Sequence, residues 1–477
     1  MKLTVATNWD VDLIKKLSDY PVYDVYGVTD HSVVGGGRPS VILPKIKQEK
    51  IADYIKMVHD YDMQFTYLLN APCMNNMEYN PEIHKKLLEQ LNWIVDIGSD
   101  GVVVTTPFLV ELIKEQYPQL NLRVSVIAHV NSVNRAKLYE QLGADEITVD
   151  MNINRDFITL EKMVKATGCK LNVLLTDGCL FQCPFRYYHY NILGHASQTY
   201  QQFNRDYIDF CIVNCSIIKF SQPEEVMKCR WVRPEDLTHY EDIGIDHFKI
   251  AGRRMPTDWI LRSVKAFSDR EYKGNLVDII QGFSMTYGGL HEKDPASGLA
   301  KSIDSEGKAR IYIDNTKLDG FIDFFKKQNC YAMCDECNYC KKWAEKTVTY
   351  NKIDAESYVT SLKDYNHDII SSKVFGAKRG EKDSNEDGST SQFKPSMPWN
   401  GKTIDTFEKL VMLSPPQFQQ IARMVISGLA EKKARERNSN QVEDDDMVKA
   451  FLEGTPGPFQ PDMHDGLKKY GFNHYLE

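Results

Sequence analysis

Eight short β-rich runs separated by helical patterns constrain the fold of this chain more than any other feature. Amphipathic segments such as Glu82 to Asp96 and Asn134 to Leu142 lie between most of the runs. This alternation is typical of parallel βα units, and eight units predict an α/β fold, a (β/α)8 TIM-like barrel. A doubly wound open sheet is the alternative. The runs are Leu3 to Thr7, Tyr23 to Val28, Gln64 to Leu69, Gly101 to Thr106, Arg123 to Ala128, Glu146 to Asp150, Lys170 to Leu175 and His247 to Gly252.

Length and charge narrow the class of protein. A chain of 477 residues exceeds what one compact core usually supports. The net charge of −8 includes no strongly basic domain, so a nucleic-acid partner is not expected. No apolar run reaches the length of a membrane span, and the start MKLTVATNWD has no apolar signal region. We therefore expect a soluble protein in the reducing environment of the cytoplasm.

Composition predicts four segments along the chain. A barrel should occupy residues 1–300, a Cys-rich segment 301–375, a polar linker 376–400 and a small all-α domain 401–477. The linker is rich in Gly, Ser and charged residues, which form little hydrophobic core. After it, Ser414 and Pro415 are typical of the start of a helix, and residues 441–453 predict a second one.

Nine of the eleven cysteines fall into two groups, one between Cys179 and Cys229 and the other between Cys330 and Cys340. In a reducing compartment such groups indicate metal ligands rather than disulfides. Cys73 and Cys169 are isolated, and we expect them to be small buried side chains.

The second group has the spacing C-x3-C-x2-C-x2-C, formed by Cys330, Cys334, Cys337 and Cys340. Zinc sites usually separate two short pairs, whereas a 4Fe–4S cluster takes its thiolates from one wrapped loop. The spacing favours the cluster, with zinc and inert thiols as alternatives. The first three cysteines also spell the radical S-adenosylmethionine motif, but the fourth thiol and the late position in the chain argue against that reading.

The first group begins directly after the seventh predicted strand, where Cys179 and Cys183 would lie at the barrel mouth. Any two of Cys211, Cys215 and Cys229 would complete a four-thiolate site. His189 and His195 suggest a mixed Cys/His zinc site, although they lack the short spacing of zinc-binding histidine pairs.

Polar residues follow the other predicted strands. The loop after the second strand contains three glycines and Arg38, which would let the backbone approach a ligand and supply a planar cation. We predict an anion-binding mouth with Arg38, Arg155 and Arg253 as cations, Asn70 as a further binding residue, and His129 and Asn131 as hydrogen-bonding or acid–base groups. We also predict that Lys249 points into the barrel, where it either meets the anion or forms a structural ion pair. Taken singly, each has an ordinary structural explanation.

The segment from Arg233 to Phe267, RPEDLTHYEDIGIDHFKIAGRRMPTDWILRSVKAF, resembles the signature of the peptidase U32 (collagenase-like protease) family. The upstream segment VIAHVNSVNRAKLYEQLGADEITVDMNINRDFITLEKM is similar to the same family, and the resemblance covers about residues 1–300. Family members that act in anaerobic ubiquinone biosynthesis and RNA hydroxylation bind a 4Fe–4S cluster. By this resemblance its ligands here would be Cys179, Cys183, Cys215 and Cys229, with Cys211 as a spare.

The family name implies proteolysis, but the chain has no His-Glu-x-x-His helix and no Gly-x-Ser-x-Gly elbow. The iron–sulfur branch implies oxygen-independent hydroxylation of an organic or aromatic substrate, with an anionic donor such as prephenate. Ala251 stands where the family has Glu, and the second Cys group suggests a second cluster that delivers electrons. A peptidase, an RNA-modifying enzyme, or a non-catalytic electron-transfer or scaffold subunit paired with a second U32-type barrel are the alternatives.

Residues from Pro415 to Leu452 are similar to the small C-terminal helical domain of light-independent protochlorophyllide reductase subunits. The resemblance implies a module that docks onto a partner. A helical hairpin that only caps the fold is the alternative.

Overall fold

The computed structural model describes residues 1–40, 43, 46–200, 210–283, 310–328, 330–331, 334, 336–372, 397–414, 416–455 and 459–476. They form two compact units, one with the described residues from Met1 to Lys352 and one with those from Ile353 onward. Residues 376–396 of the predicted linker lie outside the described residues.

Eight parallel strands close into a barrel in sequential order, and the eighth strand pairs with the first. The predicted TIM-like barrel is therefore confirmed, and the open sheet is excluded. The predicted fifth run extends beyond its strand, because Val126–Ala128 form a 3-10 turn that the Ser125 side chain caps. The strands are Lys2–Ala6 (β1), Val22–Gly27 (β2), Gln64–Leu69 (β3), Gly101–Val104 (β4), Asn121–Val124 (β5), Glu146–Thr148 (β6), Lys170–Leu174 (β7) and His247–Ile250 (β8).

Helices connect the strands and cover the barrel. The amphipathic pattern that begins at Glu82 forms a helix whose start is fixed by Asn80, which accepts from the next backbone amides, and by Pro81 at its first position. The helices are Val11–Leu17 (α1), Ile51–Asp60 (α2), Pro81–Asp96 (α3), Pro107–Gln116 (α4), Val133–Gln141 (α5), Phe157–Ala166 (α6), Arg186–His195 (α7), Phe210–Ser221 (α8), Pro223–Lys228 (α9), Leu237–Glu241 (α10) and Thr257–Asp269 (α11).

The barrel interior is charged rather than filled with branched apolar side chains. Arg123 on β5 donates from Nη1 to Asp24 Oδ2 on β2 at 2.9 Å and from Nε to Glu146 Oε2 on β6 at 2.6 Å. All three side chains are buried. Strands β2 and β5 are not neighbours, so the guanidinium must cross the interior. Residues paired in register with these three therefore also point inward.

The Cys-rich segment packs against the chain between β7 and β8. It contains Tyr312–Ile313 (β9), Tyr339–Thr347 (α12) and Val348–Thr349 (β10), and β9 pairs with β10. Helix α12 lies against α9, where the Thr347 hydroxyl is 3.7 Å from Met227 Sδ.

The second unit is helical. Besides Lys352–Ile370 (α13) it contains Gly401–Val411 (α14), Pro416–Glu436 (α15), Asp444–Gly454 (α16) and Gln460–Lys469 (α17). The two helices predicted from the sequence, α15 and α16, share a core with α14 and α17 that includes Phe407, Ile426, Phe451 and Leu467. The hairpin is thus part of a larger helical core. Among the helices of the described residues, none is long and apolar enough to cross a membrane.

Replacing Arg123 with Ala should destabilise the barrel by about 3 to 5 kcal/mol, because two buried carboxylates would lose their cation. Denaturant unfolding of the variant measures this change in the free energy of unfolding. Lys86→Ala is the control, since it removes the exposed ion pair with Glu82 and should leave stability unchanged. Equal unfolding midpoints for both variants would contradict the role of Arg123.

Candidate functional site

Two arginines without an ion pair to any described carboxylate lie at the carboxyl end of the barrel. Arg253 follows β8, and its buried Nη1 has no hydrogen-bond partner among the described residues. Burial, and then the neighbouring charge of Arg38, lower the pKa of Arg253 to about 10. Arg38 donates from Nη1 to the Gly37 carbonyl at 2.7 Å. Two cations this close, without a carboxylate between them, are typical of a place where an anion binds.

The glycine loop forms one side of this mouth. The Gly37 amide donates to Asn70 Oδ1 at 3.3 Å, and Asn70 Nδ2 donates to Ser125 Oγ at 3.1 Å. A Cβ on Gly36 would lie 3.1 Å from Asn70 Oδ1 and 4.0 Å from Arg253 Nη1. The loop backbone therefore lies directly against the polar residues. The structure brings Arg38, Asn70 and Arg253 to the same end of the barrel, and their role in binding stays a prediction.

His129 lies at the same end of the barrel, in a polar cluster that sequence reasoning found only in part. Its backbone is left-handed, with φ of 53°, and Nδ1 is 3.2 Å from Asp150 Oδ2. Arg186 donates from Nη1 to the other oxygen of Asp150 at 3.1 Å. Burial alone would raise the pKa of Asp150, but the His129 hydrogen bond and the Arg186 charge outweigh it and lower the pKa. The carboxylate thus fixes the ring of His129, as acid–base histidines require.

Asp150 and Arg186 were missed by sequence reasoning, although each carried a signal. Asp150 is the last residue of the sixth predicted strand, and Arg186 lies seven residues after Cys179. Tyr187 was also missed, and its ring centroid is 4.3 Å from that of His129. Asn131 is half-buried two residues after His129 and directly precedes Ser132, the N-cap of α5.

Lys249 on β8 points into the barrel, because its register partner Thr4 is also the partner of Asp24. It is 7 % exposed, and its Nζ lies 4.0 Å from the centroid of the Tyr26 ring. Burial, followed by repulsion from Arg123 and Arg253, lowers the pKa of Lys249 to about 7.

Arg155 does not join the anion-binding mouth, and this prediction is corrected. Its guanidinium is buried and donates to the carbonyls of Trp231 and Met227, each at 2.8 Å. It also stacks on the rings of Trp231 and Phe321, at 4.2 and 4.8 Å from their centroids. Backbone carbonyls and aromatic rings hold Arg155 against the Cys-rich segment, so it is not available to a ligand at the mouth.

The first cysteine group surrounds a buried cation. Lys219 on α8 is 1 % exposed, and its Nζ is 4.0 Å from Cys215 Sγ. Burial would lower the pKa of Lys219, but Cys215, Cys229 and Cys179 outweigh it and raise the pKa. The thiol of Cys183 interacts electrostatically with Arg186. A buried ammonium requires nearby negative charge, which thiolates bound to a metal cluster would supply.

The second cysteine group is also set among cations. Cys330, Cys334 and Cys340 interact electrostatically with one another, and Cys337 interacts with Cys334. The neighbouring cations are Lys228, Arg155 and Arg230. Arg230 lies over the Phe181 ring at 3.9 Å, and its buried Nε and Nη1 have no hydrogen-bond partner among the described residues.

Arg155 connects the surroundings of the two cysteine groups. It is an electrostatic neighbour of Cys229 in the first group and of Cys340 in the second. Within the described residues, no three His, Cys, Asp or Glu side chains lie close enough to share one ion. A 4Fe–4S cluster places its thiolates further apart than a single ion does, because each thiolate binds a different iron.

Comparisons with known proteins agree with the sequence resemblance. The family described as peptidase family U32 matches residues 42–273. The uncharacterized protease MJ1657 of Methanocaldococcus jannaschii is 31% identical over 320 residues, which are 66% of this chain and 86% of that protein.

Solved structures were compared as well. The U32 peptidase Mk0906 is 22% identical with a TM-score of 0.40, over 53% of this chain and 92% of its own. A glycerol uptake operon antiterminator-related protein of Thermotoga maritima is 13% identical with a TM-score of 0.23, over 40% of this chain and 90% of its own.

If the mouth binds a dicarboxylate such as prephenate, as the sequence predicts, replacing Arg38 or Arg253 with Ala should weaken that binding by about 2 to 5 kcal/mol, because each loss removes a charged contact. Titration calorimetry of the purified variants measures this loss. Arg262→Ala, on the exposed face of α11, is the matched control and should bind as the wild type does. Unchanged affinity in both mouth variants would remove this surface from anion binding.

Proposed function

The chain belongs to the peptidase U32 family, and on this premise we propose that it is an iron–sulfur enzyme that hydroxylates an organic substrate without molecular oxygen. The observation that carries the proposal is the buried Lys219 ammonium among the thiols of Cys179, Cys215 and Cys229. Such a cation is stable only beside a permanent negative charge. Asp177 and the Gly282 carbonyl, to which Lys219 Nζ donates, supply part of this balance. Neutral thiols add no charge, whereas four thiolates on a 4Fe–4S cluster would supply the rest.

The proposed ligands of the first cluster are Cys179, Cys183, Cys215 and Cys229. They come from the loop after β7, from α8 and from the end of α9. When bound, such a cluster supplies one-electron redox chemistry. The chain's own contribution is to bury the thiols, to balance their charge with Lys219 and to exclude water from Cys229, which is 0 % exposed.

The mouth residues support an anionic organic oxygen donor, such as prephenate. In the reaction the donor D–OH gives its oxygen to the substrate R–H, forming R–OH and D–H. The carbon that gains oxygen loses two electrons, and the donor carbon gains them, so no external oxidant is required. Arg38 and Arg253 would hold the donor's carboxylates, and His129, oriented by Asp150, would hold or move a proton at its Nε2.

Cys330, Cys334, Cys337 and Cys340 are proposed to bind a second 4Fe–4S cluster that passes electrons to the first. The position of Arg155 beside both Cys229 and Cys340 supports this pairing. The cations around the second group, among them Lys228 and Arg230, would balance its charge. Because the oxygen transfer is itself redox-neutral, the second cluster would serve to bring the first to its active oxidation state, and a soluble electron donor would be the partner for that step alone.

Peptide hydrolysis is the second candidate, because the relative from Methanocaldococcus jannaschii is named a protease. His129 and Asp150 form a pair of the kind that hydrolases use. Among the described residues, however, no Ser, Thr or Cys side chain hydrogen-bonds to His129.

Two further alternatives have their own tests. A scaffold subunit would purify with a second barrel subunit. An RNA-modifying enzyme would require a basic surface, which the net charge of −8 does not favour.

Activity of the anaerobically purified protein distinguishes these functions. Prephenate with ¹⁸O in its hydroxyl group is incubated with candidate aromatic acceptors under anoxia. We expect ¹⁸O in a hydroxylated product with the wild type and none with Arg253→Ala. Cleavage of a peptide library by metal-free protein, without ¹⁸O transfer by the metal-loaded form, would overturn the hydroxylase proposal in favour of the peptidase.

The identity of the first cluster's third ligand gives a sharp test. Cys215→Ala should lose the iron and acid-labile sulfide of one cluster, because its thiol is the one 4.0 Å from Lys219 Nζ. Cys211→Ala, on the same helix one turn earlier, is the matched control and should keep both clusters. Iron loss in Cys211→Ala with full iron in Cys215→Ala would assign the ligand to Cys211.

The second cluster should survive loss of the first, because its four ligands come from one local segment. Anaerobically purified Cys179→Ala should therefore retain one cluster's iron, and Cys337→Ala should retain the other. In the reduced wild type, electron paramagnetic resonance should show spin coupling that is absent from both variants, because Arg155 is a neighbour of both groups. Zinc in Cys179→Ala protein would contradict the electron relay.

A further inference from the structure

We propose that Lys249 forms a covalent imine with a 2-oxo acid that enters the barrel through the arginine-lined mouth. The inference rests on the anion-binding mouth of the proposed function, but not on either cluster. It assigns to the interior of the barrel a nucleophile that none of the steps above uses.

Lys249 has the surroundings of a nucleophilic amine rather than of a structural ammonium. It is 7 % exposed, and within the described residues no carboxylate lies at ion-pair distance from its Nζ. The two interior carboxylates that act electrostatically on Lys249 are Asp24 and Glu146. Both are paired with Arg123. The remaining close neighbour is the face of the Tyr26 ring, which stabilises a cation far less than a carboxylate does.

The charged and titratable groups that face Lys249 come from three strands and from the loop after a fourth. They are Asp24 and Tyr26 on β2, Arg123 on β5, Glu146 on β6 and Arg253 after β8. The two arginines repel an ammonium, and burial penalises it further, which together bring the pKa of Lys249 to about 7. A large fraction of the amine is then neutral at physiological pH, as in enzymes that activate a lysine beside a second cation.

The interior around Lys249 contains polar atoms that still need partners. Thr148 on β6 and Asn172 on β7 are register partners that face the same interior. Thr148 Oγ1 and both side-chain polar atoms of Asn172 are buried and have no hydrogen-bond partner among the described residues. Buried polar groups without protein partners normally bind water or a ligand. They would hold both the ligand and the water that imine formation releases.

Arg253 provides the anchor for the acid group. It lies four residues after Lys249, in the turn that follows β8, and it is close enough to Lys249 to repel the ammonium. Its buried Nη1 has no hydrogen-bond partner among the described residues. A carboxylate bound there would place the adjacent carbonyl near Lys249. This geometry selects a 2-oxo acid, whose carbonyl is bonded to its carboxylate, over simple aldehydes or ketones.

The covalent step balances without a further reagent. The neutral Lys249 nitrogen attacks the carbonyl carbon, and the carbonyl oxygen takes up protons and leaves as water. The products are one protonated C=N bond and one water molecule, with no change in oxidation state.

Reductive trapping tests this step on the full, metal-loaded chain. The protein is incubated anaerobically with pyruvate or phenylpyruvate and cyanoborohydride, and peptide mass mapping locates the reduced adduct. We expect an adduct on Lys249 and none on Lys219, which is equally buried but surrounded by thiols. Lys249→Met keeps the apolar stem and should abolish the adduct without loss of folded protein. Labelling spread evenly over exposed lysines would overturn the proposal.

The rate of trapping should rise with pH through about 7, because only the unprotonated amine attacks. Arg253→Gln should shift this profile to higher pH, since removing a repelling cation raises the pKa of Lys249. A merely structural role of Arg253 would not move the profile.

Phenyllactate, which has the carboxylate but no carbonyl, separates failure of this inference from failure of the proposed function. We expect it to bind and to protect Lys249 from trapping. If phenyllactate binds but no 2-oxo acid forms an adduct, the imine is excluded and the anion-binding mouth stands. If an adduct forms but no hydroxylation is found, the imine stands and the proposed reaction is wrong.

Discussion

The guanidinium of Arg123 spans the barrel interior between Asp24 and Glu146, and the chemistry at the barrel mouth depends on this placement. Most barrels of this class fill their interior with branched apolar residues. Here a buried ion network takes that place, and it uses both carboxylates. Burial and the repulsion from Arg123 and Arg253 then lower the pKa of Lys249, and Arg253 Nη1 has no hydrogen-bond partner among the described residues. The charge network in the floor prepares the mouth for an anion.

Buried cations also need nearby negative charge at the two cysteine groups. Removing a cation from water costs several kcal/mol unless negative charge lies beside it. Lys219, Arg155 and Arg230 are all buried, and all three are electrostatic neighbours of thiols. Asp177 and Asp236 offset part of this cost beside Lys219 and Arg155, and the proposed clusters would offset the rest.

Sequence reasoning located mouth residues well where a strand continues directly into them. Asn70 directly follows β3 at an inward position, so the alternation of side chains along a strand predicts its direction. Arg253 lies in the turn after β8, beyond Gly252 with its φ of 151°, so the turn determines where its side chain points. Arg155 follows β6 after the 3-10 turn Met151–Ile153, and the turn breaks that alternation. Its side chain therefore points to the Cys-rich segment. The position of Arg155 along the chain predicted which end of the barrel it occupies, but the turn determined the direction of its side chain.

The sequence by itself determined the barrel, its eight strands and the two cysteine groups, because periodicity and spacing are local properties that survive any packing. Only the tertiary structure decided which charges meet. The pairing of Arg123 with Asp24 joins residues 99 positions apart, and the approach of Arg155 to both Cys229 and Cys340 joins three separate segments. Electrostatic and desolvation energies depend on distance and burial, which a linear sequence does not contain.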